Sequence, residues 1–178
     1  MALGRKVFWL FLIFLGLAVS AFAGTLAEEA MVKGQEYLDA GNYEEAITQF
    51  NSVIADDPKN AAAYYKRGLT HHKKDNLDKA ISDYGKAIEL NSKDPEYYYN
   101  RGIVYYYQDE LDQAIEDWSK TIELNPDYPQ AYQKRAFGYF KKEKYDLAWE
   151  DVRILKRSGY GIDPNFLEKL KSASGKKE

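Results

Sequence analysis

The stretch GIVYYYQDELDQAIEDW, residues 102–118, decides how the rest of the chain is read. It aligns without gaps with GQEYLDAGNYEEAITQF at 34–50, GLTHHKKDNLDKAISDY at 68–84 and AFGYFKKEKYDLAWEDV at 136–152, each step being 34 residues. Gly34, Gly68 and Gly102 share a register with Ala136, and Ala46, Ala80, Ala114 and Ala148 share a second. Phe50, Tyr84, Trp118 and Val152 share a third. Self-similarity at a fixed period of this size marks a stack of like units rather than one irregular core.

Each unit reads as a helical hairpin. Gly and Ala stand where two helices must approach closely, and the aromatic register supplies bulk beside them. Asp57-Pro58 and Asn125-Pro126 mark turns between units, because the residue before a proline is pushed out of helical geometry. Asp39-Ala40-Gly41-Asn42, Asp75-Asn76 and Asp109-Glu110 mark turns within units. A hairpin cannot bury its apolar face alone, so the last unit needs a cover. Residues 163–172 fit that role: Asp163 can cap, Pro164 suits the first helical turn, and Phe166, Leu167 and Leu170 form an apolar stripe. Residues 173–178 are polar and read as a flexible tail.

The early aromatic, glycine, tyrosine, alanine, aromatic and closing proline met by Tyr98, Gly102, Tyr105, Ala114, Trp118 and Pro126 resemble the tetratricopeptide repeat family, over about residues 27–162. The resemblance implies an all-α, right-handed superhelix of four hairpins (about 27–60, 61–94, 95–128 and 129–162) within a domain at 24–162, followed by the capping helix. It also implies a hollow face lined by the first helix of every unit and a protein or peptide segment as partner.

The N-terminus has a different character. Arg5 and Lys6 precede VFWLFLIFLGLAV, an uncharged apolar run, and Ala21 and Ala23 then offer the small side chains that a signal peptidase requires. Residues 1–23 therefore read as a signal peptide cleaved before Gly24, with export to a bacterial periplasm or beyond the cell. The competing reading retains the segment as a membrane anchor, although Val7 to Ala23 falls short of the roughly 20 apolar residues that a span needs. Once residues 1–23 are cleaved, no membrane association is expected.

The chain has 25 basic residues; without Arg5 and Lys6 there remain 23, against 28 acidic, a formal charge of −5. That excess argues against a nucleic-acid backbone as partner. With no cysteine, neither disulfides nor a lipid-acceptor thiol contribute.

Six tyrosines in residues 97–107 cannot share one helical stripe. At about 100° per residue, Tyr98, Gly102 and Tyr105 form one stripe facing into the hairpin. Tyr99, Ile103 and Tyr106 form a second, facing the hollow side. Carried through the other units, that second face holds Met31, Gln35 and Leu38, then Tyr65, Leu69 and His72, then Gln133, Phe137 and Phe140. Asp39, Lys73, Tyr107 and Lys141 stand at its edge. The candidate partner-binding groove is therefore Tyr65, Leu69, His72, Lys73, Tyr99, Ile103, Tyr106, Tyr107, Phe137, Phe140 and Lys141. Aromatic residues at the centre favour an interface, since they give large contact area for little lost side-chain freedom. The alternative is that the rings only brace neighbouring helices.

Arg67, Arg101 and Arg135 recur at 34 residues, as do Asp83, Asp117 and Asp151, while the first unit has Lys33 and Gln49 at both places. The joint change predicts that each arginine pairs with the aspartate of its own unit, although pairing with a neighbouring unit would account for two of the three cases. His71 and His72, the only histidines, point about 100° apart on a helix and cannot clasp one metal ion. No cysteine nucleophile, phosphate loop or serine triad spacing occurs, so no enzymatic role and no cofactor are expected. Asn100 and Lys134 fit two places of the family's carboxylate clamp, but the clamp would also need a lysine and an asparagine at Tyr65 and Leu69 and a lysine at Gln130; the groove suits apolar or aromatic segments instead. The expected function is a non-enzymatic adaptor. A second reading makes the chain a self-associating or envelope-complex structural subunit.

Overall fold

A computed structural model of the chain describes residues 26–175. The expected signal peptide lies outside the described residues, as do residues 176–178 of the expected tail. Among the described residues there are nine helices and no strand: α1 at 26–39, α2 Tyr43–Asp56, α3 Ala61–Lys73, α4 Leu77–Leu90, α5 Pro95–Tyr107, α6 Leu111–Leu124, α7 Pro129–Lys141, α8 Tyr145–Arg157 and α9 Pro164–Ser174. None of the described helices is long and apolar enough to cross a membrane. Each helix packs on its chain neighbour, and α3 also touches α5, as α5 touches α7. The first helices of successive hairpins therefore line one face of an all-α superhelix.

Side-chain size sets the hairpin geometry. A Cβ on Gly34, Gly68 or Gly102 would meet Phe50 at 2.6 Å, Tyr84 at 2.9 Å or Trp118 at 2.8 Å, so each aromatic ring lies directly on the facing backbone. The fourth unit carries Ala136 at this place because its partner is the smaller Val152. Gly138 answers a different neighbour: its Cβ would meet Ile115 at 2.9 Å and Trp118 at 3.3 Å, both from the preceding unit. The larger ring of unit three thus reaches into unit four, where the chain yields by losing a side chain.

The turns repeat as faithfully as the helices. Gly41, Asp75, Asp109 and Glu143 occupy the same place at φ +77°, +61°, +61° and +57°. Between units, Asp57, Asn91 and Asn125 accept a hydrogen bond from the backbone N–H two residues on, at 2.9, 3.2 and 3.1 Å. Asn60, Asp94 and Asp163 cap α3, α5 and α9 by accepting from Ala63, Glu96 and Asn165. Each such cap contributes about 1 kcal/mol.

The charged ladder pairs within units. Arg67 reaches Asp83 with Nε–Oδ2 at 2.8 Å and Nη2–Oδ1 at 2.6 Å; Arg101 and Asp117 do so at 2.8 and 2.7 Å, Arg135 and Asp151 at 3.0 and 2.6 Å. Burial holds the carboxyls of Asp117 and Asp151 above the ordinary range, while the paired guanidinium pulls the other way. The third guanidinium nitrogen of Arg67 also donates to Asn51 of the preceding unit at 2.6 Å, and that of Arg135 to Ser119 at 3.1 Å. The matching place beside Arg101 is Gly85, which offers no acceptor.

At the C-terminal end α9 runs to Ser174, two residues into the stretch expected to be a flexible tail. Trp149 Nε1 donates to Ser174 Oγ at 3.0 Å, and Gly175 closes the helix at φ +68°. Phe166 and Leu170 are buried against Ala136, Ala148, Trp149 and Val152.

Candidate functional site

The six tyrosines of α5 divide among four environments. Tyr98 is buried inside the hairpin, and Tyr105, half-buried, joins it in stacking on the Arg101 guanidinium at 5.9 and 5.7 Å. Tyr97 is buried between units, with its ring centroid 4.8 Å from that of Tyr65. Tyr99 and Tyr106 are half-buried on the first-helix face, and Tyr107 is 65% exposed at its edge. The sequence period separates the first and third groups. It misses Tyr97, whose partner lies one unit away, and Val104, buried against Ala80 and Tyr84 of that same unit.

One end of the face, at the N-termini of the first helices, is closed by a polar chain that spans units two and three and ends at Tyr128, the N-cap of α7. Asn100 Nδ2 donates to Tyr65 Oη at 3.0 Å and to the Glu96 carbonyl at 2.9 Å, and Tyr128 Oη donates to Glu96 Oε1 at 2.7 Å. The Tyr99 and Tyr128 rings pair at 5.0 Å. Burial first, and then the Glu96 carboxylate, push the phenols of Tyr65, Tyr99 and Tyr128 upward, so all three remain neutral at physiological pH.

The opposite edge is open. His72 and Tyr107 pair at 5.8 Å, Tyr106 and Tyr107 at 6.5 Å, and Lys141 Nζ lies 4.4 Å above the Tyr106 ring and 3.3 Å from Asp109. Lys73 is exposed beside them. Leu69 and Ile103 are half-buried between these edges, with Leu69 packed against the cores of units one and two.

Phe137 and Phe140 differ from the expectation of open rings. Phe166 of α9 stacks on Phe137 at 4.0 Å and meets Phe140 edge-on at 5.6 Å, so the cap covers the fourth unit's share of the face. The open aromatic surface is the stretch from Tyr65 to Tyr107. A second periodic contact escapes sequence reading altogether: Lys74 pairs with Glu44, Gln108 donates to Asp78 at 2.8 Å, and Lys142 pairs with Asp112. The three acids stand in the first turns of α2, α4 and α6, and each ties one unit to the next.

Models of the TPR repeat match residues 34–75 and 71–109, and a model of the tetratricopeptide repeat matches 95–128. No curated protein sequence is similar enough to count as a relative. Among solved structures, the crystal structure of MamA is 31% identical, with a TM-score of 0.67 over 84% of this chain and 81% of that one. The first TPR of Spaghetti (RPAP3), bound to the HSP90 peptide SRMEEVD, is 25% identical with a TM-score of 0.64, over 66% of this chain and 93% of that one. A tetratricopeptide repeat protein from Parabacteroides merdae ATCC 43184 shares the fold at a TM-score of 0.77 and 21% identity, over 85% of this chain and 61% of that one. The matched residues, 34–128, span more than half of the 178 in the chain, which belongs to the tetratricopeptide repeat family.

Proposed function

We propose that the chain is a non-enzymatic adaptor whose first-helix face binds an extended or helical segment of a partner protein. The observation that carries this reading is the run Tyr99, Ile103, Tyr106 and Tyr107, flanked by Tyr65, Leu69 and His72, half-buried at Tyr99, Ile103 and Tyr106 and 65% exposed at Tyr107. A ring so placed braces no core. The RPAP3 domain, which is similar in fold, is bound to a peptide, and this supports the comparison. Photo-crosslinking tests it: a crosslinker at Tyr107 or Ile103 is expected to capture one partner in the native compartment, and a crosslinker at the exposed Gln113 of α6 to miss it. Equal capture from both positions overturns the assignment of the face.

The same proposal places the mature protein outside the cytoplasm, in a bacterial periplasm or secreted, on the strength of the charged start, apolar run and Ala21-Phe22-Ala23 site. Intact mass of the purified cellular protein is expected to lack residues 1–23. A mass retaining them favours the anchor.

Self-association is a second reading, favoured by Leu26 and Val32 of α1, which are 51% and 58% exposed at the N-terminal end of the stack. Sedimentation across a concentration series tests it.

A further inference from the structure

The helices of the open face carry a charge pattern opposite to that of the whole protein. The chain as a whole is formally −3. Yet α3, AAAYYKRGLTHHK, and α7, PQAYQKRAFGYFK, contain no acidic residue, and α5 contains only Glu96. The three arginines of these helices are spent on Asp83, Asp117 and Asp151. Glu96 is engaged by Tyr128.

What remains is Lys66 and Lys73 on α3, Lys134 and Lys141 on α7, and the tyrosine-rich α5 between them. The lysines of each pair are seven residues apart, two helical turns, and so share a side of their helix. Lys73 and Lys134 have no hydrogen bond or ion pair among the described residues. Lys66 is held only by the neutral Gln35, while Lys141 lies over the Tyr106 ring and pairs with the exposed Asp109. The carbonyls at the ends of α3, α5 and α7 are covered by the backbone N–H groups of Lys74, Gln108 and Lys142. The next cations along, Lys74 and Lys142, are already occupied by Glu44 and Asp112. Of the four lysines of the face, Lys66, Lys73 and Lys134 thus have no acidic partner among the described residues, and Lys141 has only the exposed Asp109.

We propose that the segment bound by this face is extended and acidic, with two acidic positions about six residues apart on either side of an aromatic or aliphatic residue. The spacing follows from geometry: α3 and α7 are two helix-packing steps apart, roughly 20 Å at about 10 Å per step. An extended chain covers that distance in about six residues. The central apolar side chain lies over Tyr99, Ile103, Tyr106 and Tyr107, and the acidic groups reach Lys66 or Lys73 at one end and Lys134 or Lys141 at the other. Neither a free C-terminus nor a terminal carboxylate is required, because the lysines stand in two separated pairs.

This inference rests on the groove reading above, and the test separates the two. Random dodecapeptides displayed on phage are selected against the full chain, then measured by fluorescence anisotropy against Lys73→Glu/Lys141→Glu, the milder Lys73→Gln/Lys141→Gln, and Tyr99→Ala/Tyr107→Ala. The expected result is enrichment of acidic pairs at the six-residue spacing, about tenfold or greater weakening by the glutamate variant, a smaller loss with glutamine, and relief of binding by salt. Peptides that lose binding only with the tyrosine variant and show no acidic enrichment overturn the charge assignment and leave the groove standing. Peptides insensitive to all three variants, or no selected peptide at all, overturn both.

Discussion

Phe166 of α9 stacks on Phe137 of α7 with ring centroids 4.0 Å apart, which joins the capping helix to the fourth unit's part of the face. Phe166 is 3% exposed, so its removal leaves a cavity over Phe137 and Phe140. Phe166→Ala is expected to cost about 3–5 kcal/mol in urea denaturation. Because α9 makes its remaining contacts mainly with α8, amide exchange is expected to rise through α7–α9 before it rises in α3–α6. Uniform loss across the stack would show that the repeats do not open from the capped end.

The arginine–aspartate ladder predicts an asymmetry between breaking a pair and replacing it. Asp117 is buried and accepts two hydrogen bonds from Arg101. Asp117→Ala leaves a half-buried guanidinium without a counter-charge, at an expected cost of about 3–5 kcal/mol. The double change Arg101→Met with Asp117→Leu removes both charges and is expected to restore most of the loss, read as melting temperature. If the double variant melts no higher than the single one, the pair contributes net stability as well as register.

Two glycine exchanges are expected to stabilise in opposite directions of chemistry. Gly85 lies inside α4, where a Cβ would meet only Arg101 Nη1 at 3.8 Å. Gly85→Ser relieves the helix of a flexible residue and supplies the acceptor that Asn51 and Ser119 give elsewhere, for about 1 kcal/mol. Glu143 holds φ +57° where unit one has Gly41, so Glu143→Gly removes left-handed strain of about 1 kcal/mol. Calorimetry on each variant reads the sign directly.

The hairpin stack was legible because Gly102 and Trp118 obey one local rule, a small residue facing a large one sixteen positions on, and the chain repeats it. The intra-unit Arg101–Asp117 pair was legible for the same reason, since both members vanish together in unit one. What stayed hidden depends on contacts between units. Gly138 makes sense only once Trp118 is known to reach it, and Tyr97 only once Tyr65 is its neighbour. Phe137 and Phe140 looked open because the stripe of α9 does not reveal which rings it will meet.

Acid should act on the second unit first. His71 replaces the tyrosine that flanks the arginine in units three and four. Its Nε2 lies 3.9 Å from Asp83 Oδ2, and its buried Nδ1 has no partner. Burial lowers its proton affinity, aided by Arg67, Lys79 and Lys74 and opposed by Asp83; burial also lowers that of His72. The unfolded chain, with ordinary imidazoles near pH 6.5, therefore binds protons that the folded chain resists. Stability from this source is complete above about pH 6.5 and falls as the pH drops below it, by at most about 1.4 kcal/mol per pH unit for each ring. Urea midpoints from pH 8 to pH 5 are expected to fall more steeply for the wild type than for His71→Tyr/His72→Gln, in which the carboxylates are unchanged. Parallel curves would mean that neither imidazole resists its proton in the folded state.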